Sequence, residues 1–105
     1  MRILLDECVP WPIHTLLVGH ECVTAKARHW GGKKNGELLG LAEGEFDLFI
    51  TCDQNIHYQQ NLAGRLIPIL ELSTNDLRRI RDAASELVAA VSSMNPGDYR
   101  KLVIA

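Results

Sequence analysis

The chain has 105 residues, a formal net charge of −2, 47% hydrophobic residues and 23% charged ones. That length is near the commonest domain size, so residues 1–105 are expected to form one domain around one core. The charge balance excludes a globally basic nucleic-acid binder, leaving any such contact to a local patch, and no apolar run reaches the length of a membrane span.

In chain order, Ile3 to Leu5 is a short apolar run that stops at Asp6-Glu7, as in a strand buried on both faces. Pro10 and Pro12 suit the first turn of a helix, where a missing N–H costs nothing. Ile13, Leu16 and Leu17 give that helix an apolar stripe, and Gly19 fits just past its end. Cys22 to Ala25 reads as a second strand, and Lys26 to Asn35, with Gly31-Gly32, as a basic loop. Glu37 to Glu45 carries Leu38, Leu39, Leu41 and Ala42 for a short helix, with Asn35 as its N-cap. Asp47 to Thr51 is the clearest strand and ends at Cys52-Asp53. Asn55 to Asn61 is polar and reads as a short helix or turn. Leu66 to Leu72 is another strand, in which Pro68 cannot donate to a ladder and argues for an edge or a bulge. Thr74 to Ser93 predicts the longest helix, with Leu77, Ile80, Ala84, Leu87, Val88 and Val91 on one face. Asn95-Pro96-Gly97 breaks it, and Tyr99 to Ile104 is a closing strand.

Strands alternating with helices imply an α/β domain with a mainly parallel central sheet covered on both faces. The start of the chain lacks the charged segment and long apolar stretch of a signal peptide. Cys8, Cys22 and Cys52 are odd in number, form no C-x-x-C pair and lie beside apolar runs. They read as small buried side chains in a reducing compartment, which predicts a cytoplasmic protein.

In open parallel sheets, ligands sit beyond the carboxyl ends of the strands. Two predicted strands end in an acid, Leu4-Leu5-Asp6 and Ile50-Thr51-Cys52-Asp53, and Glu37 lies in the first turn of the helix that leads into the second. Carboxylates held together repel, so the cluster is costly without a cation, and hard oxygen donors with room for water suit Mg²⁺ or Mn²⁺. Taken singly, Asp6 and Asp53 are equally well read as turn caps, and Glu37 as a partner of the helix dipole. Convergence of all three on one edge favours a metal and catalytic site. Glu7 reads either as a further ligand or as a solvated or backbone-bonding side chain.

The blocks LLDECVP (Leu4 to Pro10), KNGELL (Lys34 to Leu39), FDLFITCDQN (Phe46 to Asn55) and YQQNL (Tyr58 to Leu62) carry a resemblance in order and spacing. They resemble the small PIN-like family of predicted toxins from bacterial toxin–antitoxin modules, over residues 1 to about 72; the tail is similar only in kind. The resemblance implies a PIN-like three-layer domain and a metal-dependent ribonuclease site, with Asp6, Glu37 and Asp53 at the family's acidic positions. It implies Mg²⁺ or Mn²⁺ as cofactor, an RNA substrate and a cognate antitoxin protein as partner. Many relatives carry a second aspartate two residues after the one matching Asp53, where this chain has Asn55. A carboxamide brings no charge, so weaker metal binding is expected.

Around this site, Lys34 reads as a phosphate-binding side chain, and Lys33 as a solvated loop residue. Thr51 either orients a bound water through its hydroxyl or simply ends a strand. Asn55 is a candidate ligand to metal, water or substrate. Trp30, between Arg28-His29 and Gly31-Gly32, reads as a base-stacking platform or, more simply, as a side chain folded onto the core. Gln59, Gln60 and Asn61 suit loop fixation, Arg78, Arg79 and Arg81 a solvated helix face. The four histidines have no metal-ligand spacing.

The leading functional expectation is a metal-dependent endoribonuclease acting as a toxin. The alternative is a non-catalytic PIN-like module that binds RNA or a partner protein, with Asn55 marking lost chemistry. A receiver-like phosphoacceptor domain is a third reading, in which KNGELL has no place. A two-fold homodimer is compatible with the chain, although no stripe compels one.

Overall fold

The computed structural model describes residues 1–33, 35–54 and 66–105, the side chain of Asn35 excepted. Five short strands are built on its apolar runs: β1 (Arg2–Leu5), β2 (Glu21–Thr24), β3 (Leu48–Thr51), β4 (Ile69–Leu72) and β5 (Tyr99–Leu102). They form one sheet in the order β2-β1-β3-β4-β5, and every neighbouring pair is parallel. Parallel neighbours need crossovers, and among the described residues helical segments lie in those from β1 to β2, from β2 to β3 and from β4 to β5. These are a 3₁₀ helix over Trp11–Leu16, α1 (Asn35–Ala42), α2 (Leu77–Asp82) and α3 (Ala84–Ser93).

Alternation along each strand divides the core between the two faces of the sheet. Ile3, Leu5, Ile50, Leu70 and Leu72 pack with Ile13, Ile80, Leu87 and Val91 on one face. Leu4, Phe49 and Ile69 pack with Leu38, Leu39, Ala42 and Phe46 on the other. Both faces of the central strands are therefore covered, which is why β1 and β3 read as continuous apolar runs. Each fully buried Leu or Ile contributes roughly 1.5–3 kcal/mol, so this double burial is what fixes the strand ends in place.

Several elements differ from expectation. β4 lies between β3 and β5 in unbroken register, neither at an edge nor bulged. Pro68 falls just before it, where its carbonyl accepts the Phe49 N–H at 3.0 Å and no donor is asked of it. The expected long helix is two helices meeting at Ala83 (φ −103°, ψ 23°). No Pro or Gly marks the break; the turn tightens there because the Ala83 N–H reaches the Ile80 carbonyl as well as that of Arg79. The bend lets Ile80 on α2 and Leu87 and Val91 on α3 reach the same core, with Ala90, while Val88 stays 43% exposed. Leu41 is likewise exposed. The proline-rich first helix takes the tighter 3₁₀ form, and Gly19 adopts the left-handed conformation (φ +89°) expected after it. The expected turn at Asn55 to Asn61 lies outside the described residues.

Because β1 and β3 are neighbours, Asp6 emerges beside the end of β3, and its N–H donates to the Ile50 carbonyl at 3.0 Å. Among the described residues, no helix is long and apolar enough to cross a membrane. The phase of α3 can be checked by chemical denaturation. Leu87→Ala should lower unfolding free energy by about 2–5 kcal/mol, whereas Val88→Ala should stay within about 0.5 kcal/mol of wild type.

Candidate functional site

Thr51 is the last residue of β3, and its side chain is fully buried at the carboxyl edge of the sheet. Its hydroxyl donates to Asp6 Oδ2 at 2.8 Å and accepts the Asp53 N–H at 3.0 Å. The other Asp6 oxygen, Oδ1, accepts the Glu7 N–H at 2.8 Å. A β-branched residue at a strand end therefore acts as a bridge between the strand ends that carry Asp6 and Asp53. Gln54 secures the same loop by donating to the carbonyls of Cys52 (3.1 Å) and Leu72 (2.9 Å).

Two cysteines lie directly behind these acids. Cys8 Sγ accepts the Cys52 N–H at 3.2 Å and lies 3.7 Å from both Thr51 Oγ1 and Asp6 Oδ2. Cys52 Sγ donates to the Thr74 carbonyl at 3.3 Å. Hydrogen bonding from the Cys52 side chain, then from its N–H and from Thr51, pulls the Cys8 thiol down to about 7, against burial and the Asp6 charge. The Cys52 thiol is pushed up by its bond to Cys8, by burial and by the nearby acids. All three cysteines are half-buried rather than fully enclosed as expected, because each sits at or beyond the margin of the sheet.

The described contacts join Asp6 to Asp53 and give Glu37 a separate partner. Glu37 lies in the first turn of α1, exposed, with Lys33 Nζ 3.1 Å from Oε1. Such an exposed i,i+4 pair is worth about 0.3–0.5 kcal/mol, too little to hold Glu37 against a competing partner. Lys33, expected to be solvated, is thus engaged with an acid, while Lys34 and Asn55 lie outside the described residues. Glu7 turns away from a ligand role to accept the Gly32 N–H at 2.5 Å, fastening the Gly31-Gly32 loop to the end of β1. Trp30 folds onto the α1 side of the core, edge-on to Phe46 at 6.1 Å. Arg28 lies over the rings of both and pairs with Glu45. Among the described residues, no three His, Cys, Asp or Glu side chains are grouped to hold a metal ion by themselves.

Sequence reasoning missed Glu71 and Trp11. Glu71 is paired in register with Thr51 and is fully buried. It accepts a hydrogen bond from the Tyr99 hydroxyl, and Lys101 Nζ lies 3.6 Å from its Oε2. The available signal was a lone acid inside the apolar run Ile69-Leu70-Glu71-Leu72. Burial, the hydrogen bond to Glu71, and the charges of Glu71 and Asp53 raise the Tyr99 phenol above its ordinary range. Trp11 is 46% exposed, stacks on His14 at 4.0 Å, and lines an open cleft with Asp6, Glu7, Thr24 and Lys26. Its flanking prolines hid it among helix-start signals.

The arrangement offers a hydroxyl that links the Asp6 carboxylate to the Asp53 N–H, a separate Lys33–Glu37 pair, and an open cleft against Asp6. Asp6 Oδ1 accepts one described donor, the Glu7 N–H, while Oδ2 accepts both the Thr51 hydroxyl and the Cys8 thiol, so Oδ1 retains acceptor capacity for a hard cation or a water. No family model, curated protein or solved structure matches this chain.

Two outcomes follow from the hydroxyl bridge and the Glu71 contact. Thr51→Val should cost about 1–3 kcal/mol in denaturation, since it orphans the buried donor and acceptor it served, whereas Thr51→Ser should recover most of that. In alkaline titration followed by phenolate absorbance, Tyr99 should ionise later than an ordinary tyrosine, and Glu71→Gln should bring it earlier. Because the folded state raises this group above its ordinary value of 10.0, its contribution to stability is whole below that pH and declines above it.

Proposed function

We propose that this chain is a PIN-like, metal-dependent endoribonuclease acting as the toxin of a toxin–antitoxin module. The observation that carries the reading is the Asp6–Thr51–Asp53 bridge at the carboxyl ends of adjacent parallel strands, where open α/β sheets bind ligands. The order and spacing of the four sequence blocks support it, as does the five-stranded parallel sheet.

The donor set is of the kind that Mg²⁺ or Mn²⁺ takes, carboxylate oxygens at a sheet edge open to water. Asp6 and Asp53 would hold the ion, with Glu37 exchanging Lys33 for it. When bound, such an ion neutralises charge on a phosphodiester and acidifies water. The chain's own residues do the rest. The Thr51 hydroxyl fixes the rotamer of Asp6, Lys33 supplies positive charge to a phosphate, and the cleft beside Asp6 leaves room for the RNA strand. In-line attack by water leaves a 3′-hydroxyl and a 5′-phosphate. An activity of this kind in a growing cell requires an inhibitor, and a cognate antitoxin protein is the proposed partner.

The separate pairing of Glu37 with Lys33 favours one competing reading, a PIN-like module that binds RNA or protein without cutting. Incubation of purified protein with RNA and Mn²⁺ separates the two. Wild type should cut, and Asp6→Asn and Asp53→Asn should each lose at least about a hundredfold in rate, with unchanged thermal unfolding. Folded wild-type protein that cuts no RNA in Mn²⁺ rejects the nuclease.

A further inference from the structure

Cys8 and Cys52 sit on the two strand ends that carry the bridged acids, two residues after Asp6 and one before Asp53. Their proximity is imposed by the fold. β1 and β3 are hydrogen-bonded neighbours with Leu5 opposite Ile50, so the residues that follow each strand emerge side by side. The backbone N–H of Cys52 points at Cys8 Sγ from 3.2 Å, which places the sulfur against the other cysteine's main chain. A disulfide needs Cα atoms within about 7 Å and side chains that can turn toward each other. Both side chains are half-buried and so remain within reach of a small oxidant, while Cys22 lies one strand away on β2.

We propose that Cys8 and Cys52 are a modification site, a dithiol that hydrogen peroxide converts to an intramolecular disulfide and a thiol reductant restores. Cys8, whose sulfur already accepts the Cys52 N–H, attacks one peroxide oxygen. An S–O bond forms and the O–O bond breaks; the departing hydroxide takes the Cys8 proton and leaves as water. Cys8 is oxidised to the sulfenic acid as peroxide is reduced. The Cys52 sulfur then displaces the sulfenic oxygen: the S–S bond forms, the S–O bond breaks, and the oxygen leaves as water with the Cys52 proton. The sum is two thiols and one peroxide giving one disulfide and two waters.

The bond would alter the acidic edge. It takes Cys52 Sγ from the Thr74 carbonyl and commits Cys8 Sγ, now in contact with Asp6, Thr51 and the Cys52 N–H, to a new geometry. The loops bearing Asp6 and Asp53 shift with it. In this respect the proposal rests on the nuclease reading, as oxidative control of that same site, but the chemistry of the thiols does not.

The test is thiol counting on the reduced, folded chain. After a small molar excess of hydrogen peroxide, maleimide labelling in denaturant should fall from three free thiols to one. Peptide mapping should find Cys8 joined to Cys52 with Cys22 still labelled, and dithiothreitol should restore all three. Cys8→Ser and Cys52→Ala should each abolish the cross-link, and Cys22→Ser should leave it intact. Persistence of all three thiols overturns the proposal, as does a cross-link through Cys22 or between chains, or oxidation of Cys8 and Cys52 to separate sulfinic acids. The wild-type count decides the matter even if a variant fails to fold. RNA cleavage is measured separately, so a reduced protein that cuts no RNA counts against the nuclease and not against the disulfide.

Discussion

One buried hydroxyl, that of Thr51, holds the ends of two strands in a fixed relation. It has a single proton to give and spends it on Asp6; its lone pairs receive the Asp53 N–H. Neither acid need be placed by long side-chain packing, because β1 and β3 are already adjacent and the hydroxyl completes their junction. The apolar sheet beneath, buried on both faces, makes this junction rigid. The polar edge above it inherits that rigidity without any large polar network of its own.

The distribution of charge follows from the same geometry. Glu71 stands opposite Thr51 on β4 and cannot reach bulk water, so its charge is met within the sheet by Tyr99 and Lys101 of β5. Asp6 lies on the open side and is met by the Glu7 N–H and the threonine, to which the Asp53 N–H donates in turn. Glu7 is diverted to the Gly32 N–H, and Glu37 to Lys33. Acids at this edge are therefore distributed among different partners. That division of labour limits the repulsion among neighbouring carboxylates.

Much of the frame was legible from residue patterns. Short apolar runs ending in Asp6 and Thr51-Cys52-Asp53 announced buried parallel strands, and Leu38, Leu39 and Ala42 announced a helix against them. What could not be read were features that depend on neighbours in space. Pro68 looks like an edge signal until its carbonyl is seen to serve β3 from just outside β4. The helix break at Ala83 has no Pro or Gly to betray it, since the cause is where Ile80 and Leu87 must both point. Thr51 was readable as an ordinary strand end, and only the pairing of β1 with β3 reveals what its hydroxyl touches. Glu71 was hidden in an apolar run because its partners, Tyr99 and Lys101, come from the far end of the chain. Residue type alone makes the cysteines look enclosed, whereas the position of Cys8 and Cys52 past the strand ends and of Cys22 on an edge strand leaves them half-buried.

An all-parallel sheet has no hairpins, and every strand pair here is closed across a crossover. The contact between Thr51 and Asp6 spans 45 residues of sequence. Contacts of such range form late, because the entropy of closing the loop is lost before the pairing repays it. During synthesis the first strand leaves the ribosome with its aspartate long before its partner exists. The acidic edge is thus silent in the nascent and the partly folded chain, and comes into being only with the cooperative closure of the sheet.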